Sequence, residues 1–184
     1  RHRDLQETVA EAKEKARTVD GPIVLLDHAD NCGSGGTQDV MTVIAEVLRQ
    51  GLQDVAVGAV WDPAAVKQMQ QAGVGATITL QLGGKTDMPA IHEAGRPLEL
   101  TGRVRTITDG EWVVHGPMYN GYVVKMGPTA VFETGGMQIV VVSNHHEPWD
   151  TGVFTSVGID PLAKRYLLLK SRIHYRAGFA PLAK

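Results

Sequence analysis

The chain has few of the features that mark secreted, nucleic-acid-binding or membrane proteins. Cys32 is the only cysteine among 184 residues, so an internal disulfide is excluded and a reducing compartment is indicated. The 18 basic and 20 acidic residues give a net charge of −2 without any basic run, which makes nucleic acid an unexpected partner. No apolar stretch approaches the ~20 residues that a membrane-spanning helix needs. We therefore expect a cytoplasmic protein that binds neither nucleic acid nor membrane.

The composition is that of an ordinary globular domain. Hydrophobic residues make up 43% and charged residues 21% of a length that can enclose one sizeable core. The chain begins with Arg1 and runs at once into an Ala-, Glu- and Lys-rich helical pattern from Thr8 to Thr18. We expect residues 1–20 to be a lead-in helix or interdomain connector of a longer protein, and residues 21–184 to form one α/β domain.

Apolar strands alternate with amphipathic helices at both ends of the chain. A helix with apolar residues at helical spacing ends at Gly51, and a second begins with Asp62 as N-cap and Pro63 in its first turn. Ser171 is expected to cap a last helical turn. Such alternation predicts an α/β fold with a mostly parallel open sheet flanked by helices. The predicted strands are residues 23–26, 55–60, 76–82 and 166–169.

The middle of the chain, residues 97–142, has strand patterns and no convincing helix. Turn signals at Asp109-Gly110, Gly127-Pro128 and Gly135-Gly136 separate the segments. We predict a β-rich antiparallel insertion here, whose last strand, residues 139–142, returns to the main sheet.

The polar, glycine-rich segment 27–39 is the strongest local candidate for a site. It follows a buried strand, and open parallel sheets bind ligands beyond the carboxyl ends of their strands. Asp27, Asp30 and Asn31 could orient a ligand there, while the free N–H groups of the next helix would favour an anion. The alternative is that these side chains only cap turns and that the glycines, Gly33, Gly35 and Gly36, close the loop. The segment does not match the phosphate-binding or dinucleotide-binding patterns.

Three further groups of residues could carry chemistry. Cys32 precedes a helix, where the helix dipole would lower a thiol pKa, so it is a candidate nucleophile. Neighbouring residues on a strand point to opposite faces, so His145 and His146 are poorly placed to bind one metal ion. His174 and Arg176 are expected in the first turn of the final helix, where they could contact an anionic substrate and clamp a carboxylate. For each group the alternative is an exposed residue without a role.

Four segments, in the same order along the chain, resemble the C-terminal domain of the MlrC-like (microcystinase C) metallopeptidase family. Segment 27–39 is similar to a family signature of Asp-Asn-Pro followed by glycines and a downstream Asp. Segments 58–63 and 72–76 resemble its next strand-to-helix turn and helix exit. The tail agrees best, from residue 154 to residue 179. Two residues depart from the family pattern: Cys32 replaces the usual Pro, and Ser34 interrupts the glycine run.

The resemblance implies part of a zinc-dependent peptide or amide hydrolase. It also implies that the principal zinc ligands lie in an N-terminal partner domain outside this sequence. No convincing set of ligands is present here to replace them. On this hypothesis Asp30 and His174 are catalytic, and the substrate-binding residues are Asp27, Asn31, Gly33, Gly35, Gly36 and Arg176. The isolated chain would then be inactive. Two alternatives stay open, namely a small-anion binding module that uses the glycine loop and a hydrolase that uses Cys32.

Overall fold

The structure is a computed structural model that describes residues 4–183. These residues form five α-helices and nine strands, joined by turns and short 3₁₀ segments. The helices are α1 (Leu5–Lys15), α2 (Thr42–Arg49), α3 (Pro63–Ala72), α4 (Gly152–Thr155) and α5 (Arg176–Phe179). The strands are β1 (Ile23–Leu26), β2 (Val55–Trp61), β3 (Thr77–Leu82), β4 (Leu98–Thr108), β5 (Glu111–Val113), β6 (Val123–Lys125), β7 (Thr129–Thr134), β8 (Met137–Val142) and β9 (Tyr166–Leu169).

Seven strands form one mixed sheet in the order β1-β9-β2-β8-β7-β4-β3. The first four strands in this order are parallel, and the remaining pairings are antiparallel. Strands β2 and β9 lie in the middle of the parallel half and are almost wholly buried, as expected for apolar strands covered on both faces. The predicted α/β class is confirmed.

Strand β3 differs from the parallel pairing that we expected for it. It lies at the edge of the sheet and pairs antiparallel with β4, so the parallel arrangement covers only half of the sheet. Its sequence, Thr-Ile-Thr-Leu-Gln-Leu, alternates polar and apolar residues, and its burial alternates with it near the carboxyl end. Such alternation is typical of a strand with one solvated face, which an antiparallel edge allows.

The predicted β-rich region is present, and most of it extends the main sheet. Strands β4, β7 and β8 continue the sheet, and β8 pairs with β2 as the predicted return strand. Only β5 and β6 leave it, as a separate two-stranded hairpin.

Each face of the sheet has its own apolar core. Helices α1, α2 and α3 cover one face, where Val9, Ile44 and Met69 are buried. The β5–β6 hairpin and helices α4 and α5 cover the other face, where Phe154 and Phe179 pack edge to face with ring centroids 5.8 Å apart.

The start of α3 agrees with the prediction from the sequence, and the start of α5 differs from it. Asp62 caps α3 as predicted, accepting a hydrogen bond from the Ala65 N–H at 2.9 Å. Helix α5 begins at Arg176, so Ser171 does not cap it and His174 precedes its first turn. Residues 1–3 of the predicted lead-in segment lie outside the described residues. Across residues 4–183 we find no helix long and apolar enough to span a membrane.

Candidate functional site

The candidate site lies at the carboxyl edge of the four parallel strands, which is the edge at which we expected a ligand to bind. Segment 27–39 follows β1, segment 143–150 follows β8, and segment 170–175 follows β9. These strands lie within one parallel group, so their following loops meet at one edge. Hydrogen bonds join all three segments directly.

The Asp30 carboxylate is hydrogen-bonded to other residues of the glycine-rich segment and to the residue that follows it. Asp30 is only 2% exposed. Its Oδ1 accepts hydrogen bonds from the Gln38 N–H at 2.7 Å and the Thr37 hydroxyl at 3.2 Å, and its Oδ2 accepts from the Val40 N–H at 2.9 Å. The anion bound by these amides is therefore Asp30 itself. These two amides precede α2 and are therefore not free to bind an external anion.

Lys170 neutralises part of the charge of this segment, and the sequence analysis missed it. It follows β9 directly, is completely buried, and its Nζ contacts Asp27 at 2.9 Å, Asp30 at 2.7 Å and the Val40 carbonyl at 2.6 Å. Burial alone would lower the pKa of Lys170, but the two carboxylates outweigh it and raise the pKa above its ordinary value. Asp27 and Asp30 thus face a buried ammonium group rather than a cavity. A charged residue directly after a wholly apolar strand was the available signal.

Glu147 is the centre of the cluster and was not among the predicted site residues. Its side chain is 5% exposed and is bound by residues from two other segments. Oε1 accepts hydrogen bonds from Asn31 Nδ2 at 3.1 Å and the Ser171 hydroxyl at 2.7 Å. Oε2 lies 2.9 Å from Nδ1 of His174. Glu147 therefore joins the predicted site residues Asn31 and His174 into one cluster.

His174 is the exposed member of the cluster, with 49% of its side chain accessible. Because the carboxylate of Glu147 accepts at Nδ1, the neutral ring carries its proton there and leaves Nε2 as an acceptor. Within residues 4–183 no hydrogen-bond partner of Nε2 is found. A carboxylate-oriented histidine of this kind can accept and return a proton.

Arg176 lies apart from this cluster. It is exposed in α5, and its guanidinium carbon lies 5.9 Å from the centre of the Tyr175 ring. It lines neither of the two cavities that adjoin Glu147.

The three predicted glycines are required by different features of the structure, either a lack of room for a side chain or a positive φ. Gly33 packs directly on the Glu147 carboxylate and Gly36 on the backbone of Asp30 and Asn31, so neither position has room for a Cβ atom. Gly35 has open space around it but a φ of 88°, which favours glycine. Gly33 and Gly36 line a cavity, whereas Gly35 does not.

Two open cavities adjoin Glu147. The first, about 510 Å³, lies between the glycine segment, strand β6 and segment 145–149. The second, about 430 Å³, contains both Glu147 and His174. The remaining residues of the second cavity are apolar or aromatic: Met118, Tyr119, Tyr122 and Trp149. A mostly apolar pocket with a few convergent polar groups is the usual form of a small-ligand site.

The other candidate side chains do not form a reactive group. Burial, and next the nearby charge of Glu147, raises the pKa of Cys32 to about 11, which disfavours the thiolate that a nucleophile needs. His145 stacks on Trp61 with ring centroids 4.4 Å apart. Burial lowers the pKa of His146 to about 4. In the described part of the chain, no group of three His, Cys, Asp or Glu residues is arranged to hold a metal ion.

The comparisons with known proteins identify the family of this domain. The family model described as "MlrC C-terminus" matches residues 25–184. The chain belongs to this family. Microcystinase C of Sphingomonas sp. is 29% identical to this MlrC C-terminal domain over 163 residues. The crystal structure of a protein designated a metallopeptidase, from Mesorhizobium sp. BNC1, superimposes with a TM-score of 0.83 over 96% of the chain at 26% identity.

Both relatives are much longer than this domain. The match covers 89% of this chain but only 31% of microcystinase C, and the structural match covers 35% of the Mesorhizobium chain. In these relatives the MlrC C-terminal domain is therefore one part of a larger protein. The recognition made from the sequence motifs is confirmed.

Proposed function

We propose that this MlrC C-terminal domain is part of a zinc-dependent peptide or amide hydrolase and contributes His174 and Glu147 to a site shared with an N-terminal domain. The observation that carries the proposal is the buried Glu147 carboxylate, 2.9 Å from the half-exposed His174 ring. Two further hydrogen bonds, from Asn31 and Ser171, hold the carboxylate in place. A structural histidine on the surface would not need so elaborate a support.

The proposed role of His174 is proton transfer during amide hydrolysis. As water adds to the amide carbonyl, Nε2 of His174 takes the proton that the water loses. The C–N bond then breaks, and the same proton passes to the departing nitrogen, so that the products are a carboxylic acid and an amine. The acid then loses its remaining proton to the amine, which gives a carboxylate and an ammonium group. Glu147 stabilises the imidazolium formed between these two steps, as a buried carboxylate does for a catalytic histidine.

We propose that Asp30, Asp27 and Asn31 hold the Glu147–His174 pair in place. The carboxylate of Asp30 contacts the loop backbone and Lys170 and lines neither cavity. We therefore propose that Asp30 is a positioning residue and that His174 is the catalytic residue of this domain. Asn31 acts directly on Glu147, and Gly33 provides the room that the carboxylate needs.

The second cavity is proposed to hold an apolar side chain of the substrate. Tyr119 and Tyr122 are each about 60% exposed, at 61% and 59%, and Tyr119 lies 5.8 Å from Trp149 between ring centroids. These rings form one wall of the cavity that contains His174. A peptide side chain placed among them would bring the neighbouring amide bond to the imidazole.

The proposed zinc ion is expected to bind outside this chain. A catalytic zinc site needs about three convergent protein ligands, and the described residues contain no such group. We expect the isolated domain to bind zinc weakly and to have no peptidase activity. Zinc titration of the purified chain tests this, and one zinc bound per chain with sub-micromolar affinity would contradict it.

The decisive experiment is hydrolysis by the complete protein that contains this domain. His174→Gln is expected to lower kcat for a peptide amide by about 10²-fold or more, the usual contribution of a general acid–base group. Glu147→Gln is expected to lower kcat at least ~10-fold, because a neutral amide stabilises the imidazolium less well. KM should change less than kcat in both variants, since the proposed role of the pair is proton transfer and the substrate side chain would be bound mainly by the aromatic rings of the second cavity.

His92→Gln is the matched control, because His92 is exposed and lines neither cavity. It should leave kcat unchanged. Normal kcat in folded His174→Gln would reject the proposed function, as would an equal loss of activity in His92→Gln.

A further inference from the structure

Gln38 joins the two loops that hold the Glu147–His174 pair. Its side chain is fully buried and pairs with both backbone groups of His146. Nε2 donates to the His146 carbonyl at 2.6 Å, and Oε1 accepts from the His146 N–H at 3.1 Å. Oε1 also lies 3.3 Å from Nδ1 of His145. The amide thus fixes the peptide unit immediately before Glu147.

The backbone of Gln38 is bound on the opposite side. Its N–H donates to Asp30 at 2.7 Å, and its carbonyl accepts from the Trp61 N–H at 2.9 Å. Asp30 directly precedes Asn31, whose amide binds Glu147. Gln38 therefore ties the segment that supplies Asn31 to the segment that supplies Glu147.

The backbone conformation of Gln38 adds a second observation. Its φ is 61°, in the left-handed region that residues with a side chain seldom adopt. Glycine would adopt it without strain, and other positions of the same segment are glycine. A glutamine here bears the strain and supplies the amide contacts that glycine lacks, which points to a use for its side chain.

We infer that Gln38 is a positioning residue that keeps Glu147 in register with Asn31 and so fixes the His174 ring with its proton on Nδ1. The catalytic importance of Gln38 rests on the proposed function. Its effect on the position and tautomer of the His174 ring can be tested without substrate. Without the glutamine amide, segment 143–150 loses both hydrogen bonds to the glycine-rich segment at His146. The Glu147 carboxylate then no longer meets Nδ1 of His174 in a fixed geometry.

The test is the tautomer of His174 in the purified chain, read from the ¹⁵N shifts of its ring at about pH 8, where an ordinary histidine is neutral. The His174→Gln variant identifies its signals among the seven histidines. In the wild-type chain we expect the proton on Nδ1. In Gln38→Ala we expect a mixture in which the Nε2-protonated form is substantial. Gln38→Glu keeps the shape of the side chain but cannot donate to the His146 carbonyl, and the same change is expected.

Leu80→Ala controls for a general loss of stability, because Leu80 is buried in edge strand β3. It should lower the melting temperature and leave the His174 tautomer unchanged. Unchanged ring shifts in folded Gln38→Ala and Gln38→Glu would overturn the inference, and so would a tautomer change in Leu80→Ala.

Activity assays on the complete protein distinguish this inference from the proposed function. If both hold, Gln38→Ala lowers kcat more than it changes KM. A tautomer change in Gln38→Ala, combined with full activity of His174→Gln, would reject the proposed function and still support the positioning of His174 by Gln38.

Discussion

The sharpest stability prediction concerns the buried charge cluster of Lys170, Asp27 and Asp30. The Lys170 ammonium contacts both carboxylates and the Val40 carbonyl, and all three ionisable side chains are nearly inaccessible to water. The cluster holds two negative charges and one positive charge. Lys170→Met keeps most of the volume of the stem and removes the only positive charge, which leaves two buried carboxylates facing each other.

The expected cost follows from what remains buried. Removing one partner of a buried ion pair typically destabilises a protein by about 3–5 kcal/mol, because an uncompensated charge is left behind. That is a large part of the roughly 5–15 kcal/mol that holds a domain folded. Asp27→Asn has a different effect, because it leaves one carboxylate opposite one ammonium group and keeps an oxygen that Lys170 can donate to. We expect it to cost no more than about 1 kcal/mol.

The two substitutions together provide the critical comparison. In the Lys170→Met background, Asp27→Asn removes one of two unpaired carboxylates and is expected to restore about 1–3 kcal/mol. Asp30 then remains charged but keeps its hydrogen bonds from Thr37, Gln38 and Val40. The same substitution thus mildly destabilises the wild-type chain and stabilises the variant.

Urea denaturation of the four chains, followed by circular dichroism, measures these free energies of unfolding. Leu168→Ala, in the buried strand β9, supplies a reference loss of about 2–5 kcal/mol. Lys170→Met within about 1 kcal/mol of wild type would refute the reasoning. So would an effect of Asp27→Asn that has the same sign in both backgrounds.

Three further predictions follow from the same region. The pKa of His146 is about 4 in the folded chain and 6.5 as its ordinary value, so the unfolded chain binds more protons between these values. The free energy of unfolding that this pKa difference contributes should be present in full above pH 6.5. It should fall by about 2 kcal/mol between pH 7.5 and 5. Urea denaturation at each pH measures this fall. His146→Gln should remove that part of the slope, and an unchanged slope would contradict the assignment. Gly33→Ala should displace the Glu147 carboxylate and change the ring shifts of His174 in the NMR spectrum, whereas Gly51→Ala, with open space around its Cβ position, should leave them unchanged. Cys32 should react with iodoacetamide far more slowly at neutral pH than a free cysteine does, because its pKa is about 11, and rapid alkylation would restore it as a candidate nucleophile.

The sequence by itself determined the class of fold and several of its elements. Apolar runs at residues 23–26 and 166–169 predicted buried strands, and Asp62-Pro63 predicted a helix start; all three are present. These features depend on neighbouring residues, so a single sequence displays them. The four motifs in segments 27–39, 58–63, 72–76 and 154–179, taken in order, likewise identified the family.

Only the tertiary structure decided which side chains act together. Glu147 meets Asn31 across 116 positions and His174 across 27, and no local pattern records such distances. The same holds for Lys170, whose contacts with Asp27 and Asp30 join residues 143 and 140 positions apart. Periodicity reports which face of a strand or helix is buried, because burial follows the local repeat of the backbone. The partner of a buried polar group is set by the packing of distant segments, and that emerges only when the sheet order is formed.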